Sequence, residues 1–302
     1  MVGSQAFTIA NQDYIAFKRF SCRQIAPESL VQSCVAIQKA RPLADGSLDP
    51  RYLIPIISSL ERDSLVKLFP ALIKSDDVIL KAALARMRER LARSYNQFRE
   101  GEGLKGMTTC EQLTFLHDMN AKELKSEYGI SQAKYLGCIT ERLDDTDNFT
   151  DRVAMASLDF MIMRAIKEAT KAREDDPAAT VKKALPLAFM RTTMICINKH
   201  PSLRAYLCNT LLKKLIHYKI WECENREYEG FKRAMIMLAT EETPNSVLAM
   251  TTLPSDKLCE IFSHGTCSDE KKEKIYNVLA RNGCYDDLDE EVKNLLSVNM
   301  MM

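Results

Sequence analysis

Cysteine and histidine side chains are the groups in this sequence that could most readily bind a metal. The best candidate set is Cys259, His264 and Cys267, with Cys284 as the fourth ligand. Structural zinc needs four such ligands that converge tetrahedrally, and they usually come from a closely spaced knuckle plus a second close pair. Cys259 falls inside an amphipathic helical pattern, and its spacing to His264 is not that of a knuckle. We interpret these residues as packed cysteines and a loop histidine, and we predict no metal site.

A thiol activated by an imidazole is the second chemistry that the residue types would allow. Cys196 and Cys208 have His200 and His217 nearby in the chain. However, Cys196 lies in a strongly apolar segment, where burial raises the pKa of a thiol and suppresses the reactive thiolate. We interpret both cysteines as core residues.

Residues 101–106, GlyGluGlyLeuLysGly, match the letters of the dinucleotide-binding fingerprint. That fingerprint requires a strand before the glycines and a helix that begins on them, whereas an arginine-rich helical pattern precedes them here. We interpret the segment as a linker. The sequence therefore predicts a protein with no catalytic residues, no cofactor and no enzymatic activity.

Basic side chains form one short stripe. Arg86, Arg90 and Arg93 are spaced i, i+4 and i+7 on a helix predicted over 76–98. Such a stripe could contact phosphate or an acidic partner, or it could be a solvated face satisfied by Glu89 and its neighbours. Too few charges cluster here for tight RNA binding, because that affinity scales with the number of phosphates neutralised.

Arg191 interrupts an otherwise apolar segment. It falls between Leu187 and Met194, inside a helix predicted over 187–197. A buried guanidinium needs a partner, because an unpaired buried charge is strongly destabilising. We therefore predict a structural role for Arg191 in the interior, where it would pair with an acidic side chain, with Asp159 and Glu229 as the candidates, or cap the C-terminus of a helix.

Aromatic and charged side chains concentrate in residues 219–233. Tryptophan, tyrosine and arginine are enriched among the residues that dominate binding energy at protein interfaces. The candidate partner contacts in this segment are Trp221, Tyr228, Phe231, Lys232 and Arg233. The alternative is that Trp221 and Phe231 wedge between helices.

The amino-acid composition limits the fold classes and the classes of partner that the protein can have. The 42 Lys and Arg residues against 41 Asp and Glu leave a net charge of +1, whereas dedicated nucleic-acid binders carry a strong basic excess. Glycine and proline number ten each, fewer than sheet-rich or doubly wound folds need for their turns. No uninterrupted apolar run reaches the length of about 18 residues that suggests a membrane span.

Helical periodicity recurs along the chain, and turn residues interrupt it at short intervals. Thr108 and Glu111 fit a capping box, and segments 153–169 and 187–197 are apolar almost all round, as central helices are. We predict an all-α fold of stacked antiparallel helix pairs, a HEAT- or armadillo-like helical repeat solenoid. An N-terminal extension and first helix would occupy residues 1–48, and the helical domain residues 49–300.

Short motifs stand in a fixed order in the second half of the chain. They are LeuProLeuAlaPheMetArgThr (185–192), HisProSerLeu (200–203), LysIleTrp (219–221), TyrGluGlyPheLys (228–232) and LeuProSerAspLysLeu (253–258). Upstream stand LeuIleProIleIleSerSerLeu (53–60), LeuPheProAlaLeuIle (68–73) and ThrThrCysGluGlnLeuThrPheLeuHis (108–117). In this order and spacing the motifs resemble the C-terminal domain of the symplekin family, over about residues 50–280.

The resemblance implies a nuclear scaffold of pre-mRNA 3′-end processing without enzymatic activity. In that family the domain binds the C-terminal regions of the metallo-β-lactamase endonuclease subunit of the cleavage and polyadenylation specificity factor and of its inactive paralogue. Other 3′-end processing factors are further candidate partners, and direct RNA contact is not expected. The alternative from the residues is a helical-repeat RNA-binding module that uses the Arg86 stripe with Lys213, Lys214, Lys232 and Arg233.

Overall fold

The computed structural model describes residues 26–43, 46, 48–88, 98, 104–144, 149–175, 184–240 and 249–297. Every regular element in these ranges is helical, and their one β-type pairing is an isolated antiparallel bridge between Glu61 and Lys105. The predicted all-α class is confirmed. Within the same ranges, no helix combines the length and the apolar character that crossing a membrane requires.

The chain divides into two compact units, Met1–Cys138 and Ile139–Met302. The first unit contains α1 (Glu28–Ala40), α2 (Arg62–Lys74), α3 (Asp77–Arg88), α4 (Thr109–Asp118) and α5 (Ala121–Tyr128), with 3₁₀ helices at Pro50–Tyr52 and Ile54–Ser59. The next helix, α6 (Gln132–Asp144), spans the division. Phe69, Leu113 and Tyr135 are fully buried in the core of the first unit.

The predicted capping box at the start of α4 is confirmed. The Thr108 hydroxyl accepts a hydrogen bond from the backbone N–H of Glu111 at 3.1 Å, and the Glu111 carboxylate accepts one from the backbone N–H of Thr108 at 2.8 Å. Two N–H groups that the first turn would leave unpaired are therefore satisfied. This local pairing fixes where α4 begins.

The second unit contains the longest helix of the described chain. Its elements are α7 (Asp151–Asp175), α8 (Phe189–Lys199), α9 (Arg204–Tyr206), a π-helical turn (Leu207–Leu211), α10 (Leu212–His217), α11 (Asn225–Ala239), α12 (Ser255–Phe262), α13 (Asp269–Arg281) and α14 (Glu290–Ser297). Short 3₁₀ helices lie at Pro201–Leu203, Ile220–Glu222 and Met250–Thr252.

Helices α8 and α11 pack closely in the core of this unit. A Cβ atom added to Gly230 of α11 would lie 2.6 Å from Cβ of Met190 on α8. Real Cβ atoms do not approach that closely, so this contact distance requires glycine at position 230. Gly230 belongs to the TyrGluGlyPheLys motif, and the motif therefore has a packing role.

Two helices differ from the expectation of apolar character all round. Helix α8 begins at Phe189 and buries Phe189, Met190, Thr192, Thr193, Cys196 and Ile197, while its opposite face is open to solvent. Helix α7 buries Val153, Ala154, Ser157, Leu158, Met161, Ile162 and Ala165. Its other face carries exposed Met155, Phe160 and Met163. Each of the two helices therefore has one buried and one exposed face, although apolar residues also lie on the exposed face of α7.

Candidate partner-binding surface

The predicted partner segment, residues 219–233, begins in the turn after α10 and runs into α11. Lys219 adopts φ = 55°, the left-handed conformation, and so reverses the chain between α10 and the 3₁₀ helix Ile220–Glu222. Among the described residues it is the one non-glycine residue with positive φ. The reversal brings Trp221 into a half-buried position just ahead of α11.

Tyr228 and Phe231 lie on the inner side of α11. Phe231 is fully buried, Tyr228 is 7% exposed, and their rings stack with centroids 6.3 Å apart. Burial, with the neighbouring Glu260 carboxylate as a smaller contribution, raises the pKa of Tyr228. Because α11 turns both rings toward the core, neither is an exposed anchor, and the burial of Phe231 favours the alternative of a wedge between helices.

Lys232 takes part in an ion-pair cluster. Its Nζ lies 2.5 Å from Oε1 of Glu229 and 5.0 Å from the centre of the Tyr228 ring. The second oxygen of Glu229 lies 2.8 Å from Nε2 of His264. Lys232, and to a smaller extent His264, lower the pKa of Glu229. Only 11% of the Lys232 side chain is exposed, because it packs against Glu229 and Tyr228 of its own helix. The Glu229–His264 contact joins α11 to the turn after α12.

A second cation continues the cluster on α12. Lys257 lies 6.0 Å from the Tyr228 ring centre, 2.5 Å from Oε1 of Glu260 and 3.2 Å from Oδ2 of Asp256. The Glu260 carboxylate is the main cause that raises the pKa of Lys257. Tyr228 therefore lies beneath two lysines whose charges are balanced by neighbouring carboxylates.

Trp221 and Arg233 are the predicted contacts that the fold leaves available. Trp221 is half-buried and Arg233 is exposed. Arg233 has no ion pair with any described residue. Of the five candidate contacts, Trp221 and Arg233 are therefore the more accessible ones, while Tyr228, Phe231 and Lys232 hold α11 in place.

The basic stripe is described only in part. Arg86 is half-buried on α3, while Arg90 and Arg93 lie outside the described residues.

Arg191 is exposed, which corrects its predicted burial. Its Nε–H donates a hydrogen bond to the Thr140 hydroxyl at 3.2 Å. On a helical projection, position 191 falls about 180° from the centre of the buried stripe of α8. Neither predicted carboxylate partner serves it, since Glu229 pairs with Lys232 and His264 and Asp159 pairs with Lys214.

The π-helical turn explains how Asp159 acquires its partners. Tyr206 donates to Oδ1 of Asp159 at 3.3 Å, and Lys214 bonds to the same oxygen. In a regular α-helix, residues eight apart differ by about 80° in direction. A π turn accommodates one extra residue, so Tyr206 and Lys214 face α7 together. The residue types and spacing of this segment carry no signal for a π turn, so this pairing could not be predicted from the sequence.

Cys196, Cys208 and His264, among the other cysteine and histidine candidates, have the contacts of packed or hydrogen-bonded side chains. Burial raises the pKa of Cys196 to about 12 and that of Cys208 to about 11, as expected for packed thiols. His264 contacts the Thr266 hydroxyl as well as Glu229. Within the described part of the chain, no group of three or more His, Cys, Asp or Glu side chains is arranged to hold a metal ion.

The fold and these clusters define an all-α protein in which several polar pairs join neighbouring helices. Residues 49–264 match the family model described as "Symplekin tight junction protein C terminal". The chain therefore belongs to the symplekin C-terminal family, which is a scaffold family and is not known as an enzyme family. A comparison with solved structures finds no match to this chain.

Proposed function

We propose that this chain is a non-enzymatic scaffold of the nuclear mRNA 3′-end cleavage and polyadenylation machinery. Its partners would be the C-terminal regions of the metallo-β-lactamase endonuclease subunit and of its inactive paralogue. The observation that supports this most strongly is the family match over residues 49–264. That range includes the motif segments of both compact units, so the match does not rest on a single helix.

The contact surface that we propose in the second unit is defined by Trp221 and Arg233. Trp221 is half-buried and Arg233 is exposed, and they combine an aromatic side chain with a cation that has no ion pair to a described residue. The Lys232–Glu229–His264 cluster would hold α11 in position rather than bind the partner. This division of roles supports a surface that is rigid before binding, which reduces the entropy lost on association.

We also propose that the helices stack as antiparallel pairs in a HEAT- or armadillo-like repeat. The two-residue connection between α2 and α3 supports this, because short connections favour antiparallel neighbours. A structure determined by crystallography or electron cryomicroscopy would test it. Successive pairs without a common stacking direction would contradict it.

Co-expression of the chain with the two C-terminal regions tests the proposed function. We expect all three polypeptides to co-purify through a tag on the chain. Capture of neither region would contradict the proposal. Filter binding to RNA over a range of salt concentrations tests the alternative, since tight binding with a steep salt dependence would favour an RNA-binding module.

A further inference from the structure

The outward face of α7 carries an apolar ridge that is partly open to solvent. Met155 is 39% exposed, Phe160 38% and Met163 46%. On a helical projection they fall within an arc of about 140° whose centre lies opposite the buried stripe of α7. They extend over about 12 Å of the helix axis. The other exposed large apolar side chains among the described residues lie outside α7.

A neighbouring helical segment forms one side of this face. Tyr206 donates to the backbone carbonyl of Met155 at 3.4 Å and to Asp159 at 3.3 Å. Lys214 neutralises Asp159, the acidic residue that lies within the arc of the ridge. The ridge therefore lies beside a polar boundary whose carboxylate is already paired.

Basic side chains outnumber acidic ones over residues 152–171 of this helix, and both acidic residues there, Asp159 and Glu168, are paired. Arg152, Lys167 and Lys171 are exposed, and none of them has an ion pair with a described residue. Arg164 lies over the Phe160 ring, 5.7 Å from its centre, and pairs with Glu168 at 3.9 Å. The excess of unpaired positive charge beside an apolar ridge would attract a partner whose own apolar stripe is flanked by carboxylates.

We propose that this face of α7 docks an amphipathic helix of a partner protein that carries acidic side chains beside its apolar stripe. Methionine side chains adapt their shape to an incoming apolar surface, and a helix presents anchors at i, i+3, i+4 and i+7 that can follow such a ridge. Because this surface differs from the Trp221–Arg233 surface, the inference does not depend on the identity of the partner in the proposed function.

Two synthetic amphipathic peptides test the proposal on the full chain. Both carry leucine at i, i+3, i+4 and i+7, and they differ only in having glutamate or lysine on the flanks. By fluorescence anisotropy we expect the glutamate peptide to bind about tenfold more tightly or better, with an advantage that shrinks as salt is added. Met163→Glu, and separately Lys167→Glu with Lys171→Glu, should weaken its binding by a similar factor.

Val78→Glu is the matched control, because Val78 is an exposed apolar residue, 77% exposed, on α3. It should bind the glutamate peptide as the unaltered chain does, and thermal melts should show that every variant remains folded.

Three results would overturn the proposal: absence of binding by the glutamate peptide, equal binding of the two peptides, or undiminished binding by Met163→Glu. Self-association of the free chain that Met163→Glu abolishes would also overturn the proposal, because a second copy of the chain would then occupy this face of α7. If the glutamate peptide does not bind, capture of the endonuclease regions is unaffected. Failure of this inference can therefore be distinguished from failure of the proposed function.

Discussion

At the scale of single residues, Asp151 connects two helices. It lies in the first turn of α7, accepts a hydrogen bond from the Ser202 hydroxyl and lies 2.6 Å from Nδ1 of His200, which ends α8. The first turn of a helix favours negative charge. The Ser202 bond first, and then His200, lower the pKa of Asp151.

This lowered pKa predicts a pH-dependent contribution to stability. A carboxylate whose pKa is lower in the folded chain stabilises it above the unfolded pKa of about 3.9, and the stabilisation is lost as the pH falls through the lower folded pKa. Asp151→Asn should therefore lower Tm at neutral pH. Below about pH 4, the Tm difference between this variant and the unaltered chain should become smaller. Thermal melts across this range measure both effects. Asp287→Asn is the control, since Asp287 is exposed; an equal loss of Tm in the control would contradict the role of Asp151.

Lys219 predicts a stabilising substitution. A non-glycine residue in the left-handed region costs about 1–2 kcal/mol, and glycine is the usual residue after the end of a helix. The Lys219–Glu222 pair is exposed and 3.7 Å long, so its loss should matter little. Lys219→Gly should therefore raise the free energy of unfolding in urea by about 1 kcal/mol, whereas Lys219→Ala, which keeps the Cβ, should not. A destabilised Lys219→Gly chain would contradict this account.

At the scale of helices, the crossing of α8 and α11 depends on Gly230. Gly230→Ala would place a Cβ 2.6 Å from that of Met190. We expect a net loss of about 1–2 kcal/mol in the free energy of unfolding, although alanine otherwise favours a helix by about 1 kcal/mol over glycine. Urea denaturation measures this.

Gly137→Ala on α6 is the matched control for that substitution. A Cβ at Gly137 meets no atom within 4 Å, so the helix preference of alanine should act alone and stabilise the chain slightly. If both substitutions stabilised the chain equally, the close contact between α8 and α11 would be refuted.

Helix positions were largely predictable from the sequence, while the orientation of particular side chains was not. The capping box at Thr108 depends on residues three apart, so it could be recognised locally. Arg191 was predicted to be buried because Met194, about 60° away on a helical projection, suggested an apolar face there. Met194 is only half-buried, and the buried stripe lies on the opposite side of α8. The Tyr206–Asp159–Lys214 pairing depends on a π turn, which contact between helices stabilises and which the residue types do not indicate.

At the scale of the whole molecule, the ordered motifs predicted the family, and the family model confirms it over residues 49–264. The candidate surface was predicted less well. Hot-spot residue types cannot distinguish an exposed anchor from a core aromatic, so the sequence left both positions open for Phe231. The structure buries Phe231 and leaves Arg233 exposed. Lys232 was counted as a surface charge, although ion pairing and the Tyr228 ring cover most of it.

These positions predict different outcomes for two neighbouring charge reversals. Lys232→Glu would place a carboxylate beside Glu229 and should lower Tm. Arg233→Glu breaks no ion pair with a described residue and should leave Tm close to that of the unaltered chain while it weakens capture of the endonuclease regions. Thermal melts and co-purification measure the two effects, and equal Tm values for both variants would contradict the described geometry.

The proposed scaffold function can be measured by isothermal titration calorimetry. The purified chain is titrated with the co-purified C-terminal regions of the endonuclease and its paralogue. We expect a stoichiometric complex that Arg233→Glu weakens by about tenfold, or about 1.4 kcal/mol. Arg281→Glu, an exposed arginine at the end of α13, should leave the complex unchanged. A folded, unaltered chain that gives no binding heat at several temperatures would contradict the scaffold function. Binding that Arg233→Glu does not weaken would retain the scaffold function and refute the surface assigned to it.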